Sequence, residues 1–355
     1  MKYVKFALVL VAAALWTACV TGIQDMQIAS IEMSIEDEDG NRVDELLPDT
    51  VYNLDFRVRD SAGELHVNPN YQDIRFTQLE NLELIQQARF SVKLRTAKST
   101  FHSANSDLYH FAFAVKGNSY PQQKYAFPLN WNGFYKIDYS GLDGQEGEDG
   151  DDGISASGDT ADDVEGGNGE NGSDGTRGFP GDDVSLVVCR YSYNSGQKLL
   201  LYALGQRHLY LSELRDMVVD TSGGDGGDGG RGGNGGSGRS YDDGAGTLVD
   251  GVAGDPGEGG DGGYGGYGGD ITLLAVESKL FNYIEPDTDG GDGGYGGAGG
   301  RAYVDGDLVR TAWEGRDGRD GRDGKVRYET ISPRELRDYL RSIEAPGFEM
   351  KNVLY

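Results

Sequence analysis

Residues 223–238 read GGDGGDGGRGGNGGSG. Two later stretches, GGDGGYGGYGG at 259–269 and GGDGGYGGAGG at 290–300, keep the same Gly-Gly-X period. Three others keep a Gly-X-Y period: GLDGQEGEDGDDG at 141–153, GENGSDGTRGFPG at 169–181 and GRDGRDGRDG at 315–324. A period of three matches neither helix nor strand, but it does match an extended threefold helix rising ~3.1 Å per residue. In that helix each residue of a triplet lies on its own ridge, and a ridge pressed against a neighbouring backbone leaves no room for a Cβ. Two glycines per triplet therefore imply two packed ridges, and one glycine implies one. The Gly-Gly-X stretches are then expected inside a bundle of rods and the Gly-X-Y stretches at its periphery. The remaining ridge faces outward, with Asp225, Asp228, Arg231, Asn234 and Ser237 along one rod. Asp261, Tyr264, Tyr267 and Asp270 follow along the second, and Asp292, Tyr295, Ala298 and Arg301 along the third. The shared Asp-Tyr register of the last two predicts tyrosines aligned on one face.

Ordering a residue costs ~1–2 kcal/mol, and glycine lies at the expensive end. The chain has 58 glycines, and the rods carry no apolar side chains to offset that cost. Hydrogen bonds between rods must do so, with the apolar inserts pinning the rod ends. Those inserts are 184–193, 198–204, 271–283, 302–313 and 326–331, rich in β-branched, leucine and aromatic residues that a disordered linker would lack. The competing reading makes the glycine stretches loose connections within a second β-domain. A collagen triple helix needs longer runs and more proline than the 9 present.

These stretches resemble the polyglycine-II sandwich proteins, a group that includes glycine-rich phage tail adhesins, a springtail antifreeze protein and mycobacterial glycine-rich surface proteins. The chain also resembles collagen-like repeat lipoproteins of bacterial surfaces. Both resemblances imply an architecture, for residues 141–324 at most, rather than an activity. The mixed Asp, Arg and Tyr of the outward ridges do not suit ice binding.

The N-terminus reads as a targeting segment. Lys2 and Lys5 precede an apolar run, Phe6 to Leu15, too short to span a bilayer. Trp16-Thr17-Ala18-Cys19 resembles a lipobox, which implies acylation of Cys19 after cleavage, although Trp16 stands where an aliphatic residue is usual. A plain secretory signal is the alternative. Cys189, the second of 2 cysteines, then has no partner within the chain and is expected to be a buried thiol. From 27 to 139 the chain alternates as a β-domain does: Tyr52, Leu54, Phe56 and Val58, then Tyr109, Phe111, Phe113 and Val115. Seven or eight short strands are expected, closing with a hairpin from 125–131 to 134–139 through Asn132-Gly133. Ser332-Pro333-Arg334-Glu335 predicts a capping box, followed by a helix with Leu336, Tyr339, Leu340 and Ile343 on one face, stopped at Pro346-Gly347.

A formal charge of −27 disfavours nucleic acid as a partner. His66, His102, His110 and His208 form no metal-binding motif, and no catalytic signature occurs. The chain is thus expected not to be an enzyme and to have no resident cofactor. Calcium is the one ion worth weighing. Asp149, Asp151 and Asp152 form an acidic edge, and Asp270 lies in GGYGGDITL, a partial match to the calcium-binding nonapeptide repeat. A solvated acidic edge explains the same residues.

The expectation is a mainly β protein: an N-terminal immunoglobulin-like β-sandwich followed by a polyglycine-II bundle with short β inserts and one C-terminal helix. Its parts are a signal peptide at 1–18, a lipidated Cys and tether at 19–26, a sandwich at 27–140, the glycine-rich domain at 141–331 and a helix with tail at 332–355. The role expected is a lipid-anchored structural or adhesive protein of the outer membrane or cell surface. Tyr264, Tyr267 and Tyr295 are the candidate contacts to a glycan or protein ligand. A calcium-stabilised envelope component and a non-catalytic accessory to carbohydrate processing are the alternatives.

Overall fold

A computed structural model describes residues 22–67, 69–98, 108–193, 196–343 and 348–355. The targeting segment and Cys19 lie outside the described residues, as do His102, the turn at 194–195 and the helix stop at 346–347. The chain is mainly β, with 38% strand and 7% helix. It divides into two compact units.

The first unit runs to Phe134 and includes His208–Glu213 and Ile343–Lys351. Its strands are β1 (Ile28–Glu36), β2 (Arg42–Val43), β3 (Val51–Asp60), β4 (Leu65–Val67), β5 (Ile74–Glu80), β6 (Leu82–Gln87), β7 (Val92–Thr96), β8 (Leu108–Val115) and β9 (Gln123–Pro128). One antiparallel sheet has the order β2-β1-β3-β7-β6, with β4 also on β3, and a second has the order β5-β8-β9. Alternation puts Tyr52, Leu54, Phe56 and Val58 of β3 on the buried face, and Tyr109, Phe111, Phe113 and Val115 of β8 join them in one apolar cluster. Phe56 meets Phe113 edge to face at 5.0 Å, tying the two sheets together. The buried Thr96 hydroxyl donates to Leu47 O at 2.6 Å and accepts from Thr50 N at 2.9 Å, so its polar atom is satisfied.

The remaining strands are β10 (Lys136–Asp138), β11 (Val184–Tyr193), β12 (Gly196–Leu204), β13 (Leu209–Ser212, in the first unit), β14 (Met217–Asp220), β15 (Tyr241–Asp242), β16 (Leu248–Val249), β17 (Ile271–Ala275), β18 (Ile284–Asp287), β19 (Arg301–Val304), β20 (Asp307–Thr311), β21 (Val326–Thr330) and β22 (Val353–Leu354). The expected closing hairpin before Tyr139 does not form. Lys136–Asp138 pairs in parallel with β14, which in turn pairs in parallel with β18. The alternation of Phe134 to Tyr139 signalled a strand correctly, but local sequence carries no record of a partner some eighty residues away.

Each of β10, β14 and β18 runs directly into a glycine segment: the first (141–156), third (221–238) and fifth (288–300). The second (166–182), fourth (254–270) and sixth (312–325) run out into β11, β17 and β21, which form another parallel set. The glycine segments continue the sheet pairings as two layers. In one layer Gly144 N donates to Asp225 O and Gly147 N to Asp228 O, both at 2.7 Å, while Gly226 N donates to Asp292 O and Gly229 N to Tyr295 O, both at 2.8 Å. In the other, Gly175 N donates to Asp261 O and Gly262 N to Arg316 O, both at 2.8 Å. Antiparallel bonds stitch the layers together in a zigzag: Ser173 N to Glu148 O, Gly230 N to Ser173 O, Gly263 N to Gly227 O, Gly294 N to Gly263 O and Gly318 N to Gly294 O. Every one of these ladders repeats at three residues.

Burial follows the same period. Gly291, Gly294, Gly297 and Gly300 are buried while Asp292, Tyr295 and Ala298 between them are exposed. None of the glycines in the ladders has positive φ; those that do, such as Gly205 and Gly306, sit in turns. Glycine is required in the ladders because a Cβ would collide with neighbouring backbone. At Gly227, Gly260, Gly263 and Gly294 a built Cβ falls well inside 3.0 Å of a carbonyl on the adjoining segment.

The link between glycine content and packing holds at the extremes. The first and sixth segments bond to two neighbours each and carry one glycine per triplet, whereas the third and fourth bond to four and carry two. The second and fifth both bond to three, although only the fifth is Gly-Gly-X. The second escapes the rule along its seam with the first. There Ser173 Oγ accepts from Glu148 N at 2.7 Å and Thr176 Oγ1 from Gln145 N at 2.6 Å, so side chains sit beside the neighbour rather than against it.

Helix α1 (Pro333–Leu340) has the expected reciprocal cap, with Glu335 N donating to Ser332 Oγ at 3.2 Å and Ser332 N to Glu335 Oε2 at 2.7 Å. Leu336 and Leu340 are fully buried. Tyr339 is 37% exposed, so the apolar face is narrower than its spacing suggests.

Candidate functional site

The outer surface of each layer is built from the triplet position that is not glycine. Neighbouring segments run in parallel with constant offsets, so these side chains form rows across the layer. Across the first, third and fifth segments Asp143, Asp225 and Asp292 share a row, and Glu146, Asp228 and Tyr295 share the next. The registers are set by bonds from Asp225 N to Asp143 Oδ1 (2.9 Å), Asp292 N to Asp225 Oδ1 (2.8 Å) and Tyr295 N to Asp228 Oδ1 (2.7 Å). The strands hold the same spacing, because Lys136 pairs with Val218 and Val218 with Glu285.

The aspartates therefore do more than face water. One carboxylate oxygen of Asp143, of Asp225 and of Asp228 accepts from a backbone amide that the ladder leaves free, so a polar side chain completes the hydrogen bonding of a chain with few other acceptors to offer. Asn168 and Asn171 do the same for Asp255 and Glu258 at 2.8 Å. The edge of the fifth segment is closed by Asp317, Asp320 and Asp323, which accept from Gly296, Gly293 and Gly290 at 2.9–3.0 Å. The Gly-Arg-Asp repeat is thereby explained residue by residue: glycine packs, aspartate clamps the neighbour and arginine is left on the surface.

The candidate tyrosines divide between the two layers. Tyr264 and Tyr267 belong to the fourth segment, and Tyr295 to the fifth. The segments carrying them lie in opposite layers, so the expectation of tyrosines on a common face is corrected. A shared sequence register says nothing about layer, and consecutive segments alternate between the two. Tyr264, Tyr267 and Tyr295 are 55%, 46% and 73% exposed, so all three are available to a ligand.

On the second layer, Asp261 N to Asp174 Oδ1 and Arg316 N to Asp261 Oδ1, both 2.8 Å, set the rows. The next row up holds Arg177, Tyr264 and Arg319, and the one after it Pro180, Tyr267 and Arg322. Arg177 lies over the Tyr267 ring at 4.6 Å and Arg322 approaches the same ring at 6.0 Å. A shallow depression beside them is lined by Asp174, Arg177, Asp261, Tyr264, Arg316, Asp317 and Arg319. The arginines were not among the candidate residues from sequence, yet the period-three spacing of Arg316, Arg319 and Arg322 was the signal that could have found them.

Among the candidate calcium ligands, Asp149 Oδ1 accepts from Arg231 N at 2.7 Å and Asp152 Oδ1 from Asn234 N at 2.6 Å. Asp151 is exposed, and its main-chain carbonyl accepts from Glu170 N at 2.9 Å. Asp270 accepts from Lys325 N at 2.8 Å and from the Arg327 guanidinium at 3.3 Å. In the first unit Asp60, Glu64 and His66 come within 4.8 Å of one another, a grouping the scattered histidines did not suggest. Asp60 Oδ1 accepts from Ala62 N and Glu64 N, and Oδ2 lies 3.1 Å from His66 Nε2. The hydrogen bond to His66, helped by those amides, holds the Asp60 carboxyl below its ordinary range. The Cys189 thiol is buried, and desolvation pushes its pKa up to about 12. Burial thus disfavours the thiolate form.

No family model, no curated protein and no solved structure matches the chain.

Proposed function

We propose that this is a lipid-anchored protein of the outer membrane or cell surface, structural or adhesive in role and without catalytic activity. In this reading the glycine segments are polyglycine-II helices packed as a two-layer bundle, the first unit is an immunoglobulin-like sandwich, and Cys19 carries the acyl anchor. The observation that carries it is the period-three hydrogen-bond ladder running through all of the glycine segments. A body whose interior is backbone is stiff and displays regular rows of side chains on both outer surfaces. Display in regular rows serves binding to an extended, repetitive partner. Two antiparallel sheets closing on one core support the sandwich.

The test is adhesion by cells expressing the full chain, with metabolic labelling by a fatty-acid analogue. Label incorporation lost in Cys19→Ser, together with binding lost in the triple Tyr264→Ala, Tyr267→Ala, Tyr295→Ala variant, is expected. Label-free wild-type protein or undiminished binding by the triple variant refutes the anchored adhesive role.

A calcium-stabilised envelope component is the second reading, favoured by the placing of Asp143, Asp225 and Asp292 in one row on adjacent segments. A melting temperature that drops with chelator supports it, and one that does not move excludes it.

A further inference from the structure

We infer that the surface of the second layer around Arg177, Tyr264, Arg319 and Arg322 binds a linear acidic polysaccharide, one bearing a carboxylate or sulfate at regular intervals. This rests on the surface-display reading above and names its ligand.

The chain carries a formal charge of −27, yet two consecutive rows of this layer, Arg177-Tyr264-Arg319 and Pro180-Tyr267-Arg322, contain no acid. Arg177, Arg319 and Arg322 are exposed, and among the described residues no ion pair engages them. Arg310 and Arg327 of the same unit, by contrast, pair with Asp255 and Asp270. The acids nearest the patch, Asp174 and Asp261, each have one oxygen committed to a backbone amide. Of the sixth-segment aspartates, Asp317 and Asp320 each commit one oxygen to an amide of the fifth segment, and Asp317 also borders the depression. The fold thus ties one oxygen of Asp317 and of Asp320 to the fifth segment while Arg319 and Arg322 stay free on the outer rows, leaving a cationic strip bordered by Asp174, Asp261 and Asp317.

Spacing selects the ligand. Arginines three residues apart on an extended threefold helix stand ~9 Å apart, about the span of two linked sugar rings. Duplex nucleic acid carries a charge every ~1.7 Å, far too dense for such a strip, and the net charge of the protein repels it. Tyr264 lies between Arg177 and Arg319 with its ring exposed and offers an apolar surface to a sugar face. Tyr267 positions Arg177 and Arg322 by cation–π contact. The rigid backbone beneath means that little ordering entropy is lost on binding.

The test is calorimetry or biolayer binding of the purified full-length protein to polygalacturonate, to chondroitin sulfate and to neutral dextran, in low and physiological salt. Binding to at least one acidic polymer and not to dextran is expected, weakening as salt rises. The two acidic polymers separate carboxylate from sulfate recognition. Arg319→Gln with Arg322→Gln is expected to lower affinity roughly tenfold, the loss of two exposed charge contacts. Arg231→Gln on the other layer leaves it unchanged. No binding to either polymer, or equal affinity in the double variant, overturns the inference. Hydrogen exchange at the glycine amides, measured on the same samples, separates the causes. Protected glycines without binding sink the ligand assignment alone, whereas unprotected glycines sink the bundle on which it stands.

Discussion

Gly263→Ala tests whether backbone contact holds the second unit together. The new methyl group would fall onto Thr176 O and C, with Gly175 O next. Thr176 O already accepts from Gly227 N at 2.9 Å, Gly263 N donates to Gly227 O at 2.8 Å, and Gly263 O accepts from Gly294 N at 2.9 Å. Relieving the clash requires the fourth segment to move from the second and strains all three bonds. At ~1 kcal/mol net apiece, with ~1–3 kcal/mol for overpacking, the loss is about 4–6 kcal/mol. Alanine restricts the unfolded chain and returns ~0.4–1 kcal/mol, undiminished by torsional strain because φ here is not positive. The net destabilisation is therefore ~3–5 kcal/mol, a large share of the stability of an ordinary domain. Gly167→Ala supplies the contrast, since its Cβ would stop 3.2 Å from Ile154 N, and that edge yields with a small shift. That variant is expected to lie within about 1 kcal/mol of wild type. The assay is urea unfolding of each variant, read together with amide exchange by mass spectrometry. Equal midpoints for wild type and Gly263→Ala, or equal damage from both substitutions, would refute the argument that contact, rather than flexibility, demands these glycines.

Asp261→Ala leaves the Arg316 amide without its carboxylate partner, while Asp261→Asn keeps an acceptor of the kind Asn168 and Asn171 already supply. Faster exchange at Arg316 in the alanine variant but not in the asparagine variant is the expected result. Ser332→Ala removes the helix cap and should destabilise the C-terminal helix by about 1 kcal/mol, measured by local exchange at 334–336. Asp220 bonds Lys136 at 2.5 Å and Ser222 Oγ at 2.6 Å. Burial alone would raise its pKa, but the hydrogen bonds from Lys136 and Ser222 outweigh burial and lower it. Because the folded pKa is depressed, this contribution is complete above the unfolded value of ~3.9 and is lost as pH falls through the folded one. Acid unfolding of Lys136→Met should accordingly begin at higher pH than that of wild type. Cys189, buried with a raised pKa, should resist a maleimide in native buffer and react in urea; prompt native labelling would contradict its placement.

The triplet period by itself pointed to extended glycine stretches packed by their side-chain-free ridges, and the close backbone contacts of the structure favour that over loose connections. The period also marked the outward position of the third residue, while the Ser332-Pro333-Arg334-Glu335 motif marked the helix cap and two-residue alternation the strands of the first unit, all of which rest on contacts within a few residues. Pairing was decided only by the tertiary structure. Which segments share a layer, where Tyr295 lies relative to Tyr264, and the pairing of Lys136–Asp138 with β14 rather than in a hairpin all depend on partners tens of residues away. The parallel strands set that register and carry it into the glycine segments, where identical triplets could otherwise slip by three residues with little change in local energy. The aspartate clamps and the cationic strip follow from that register, since a carboxylate meets a neighbouring amide, and arginines gather away from acids, only once the offsets between segments are set.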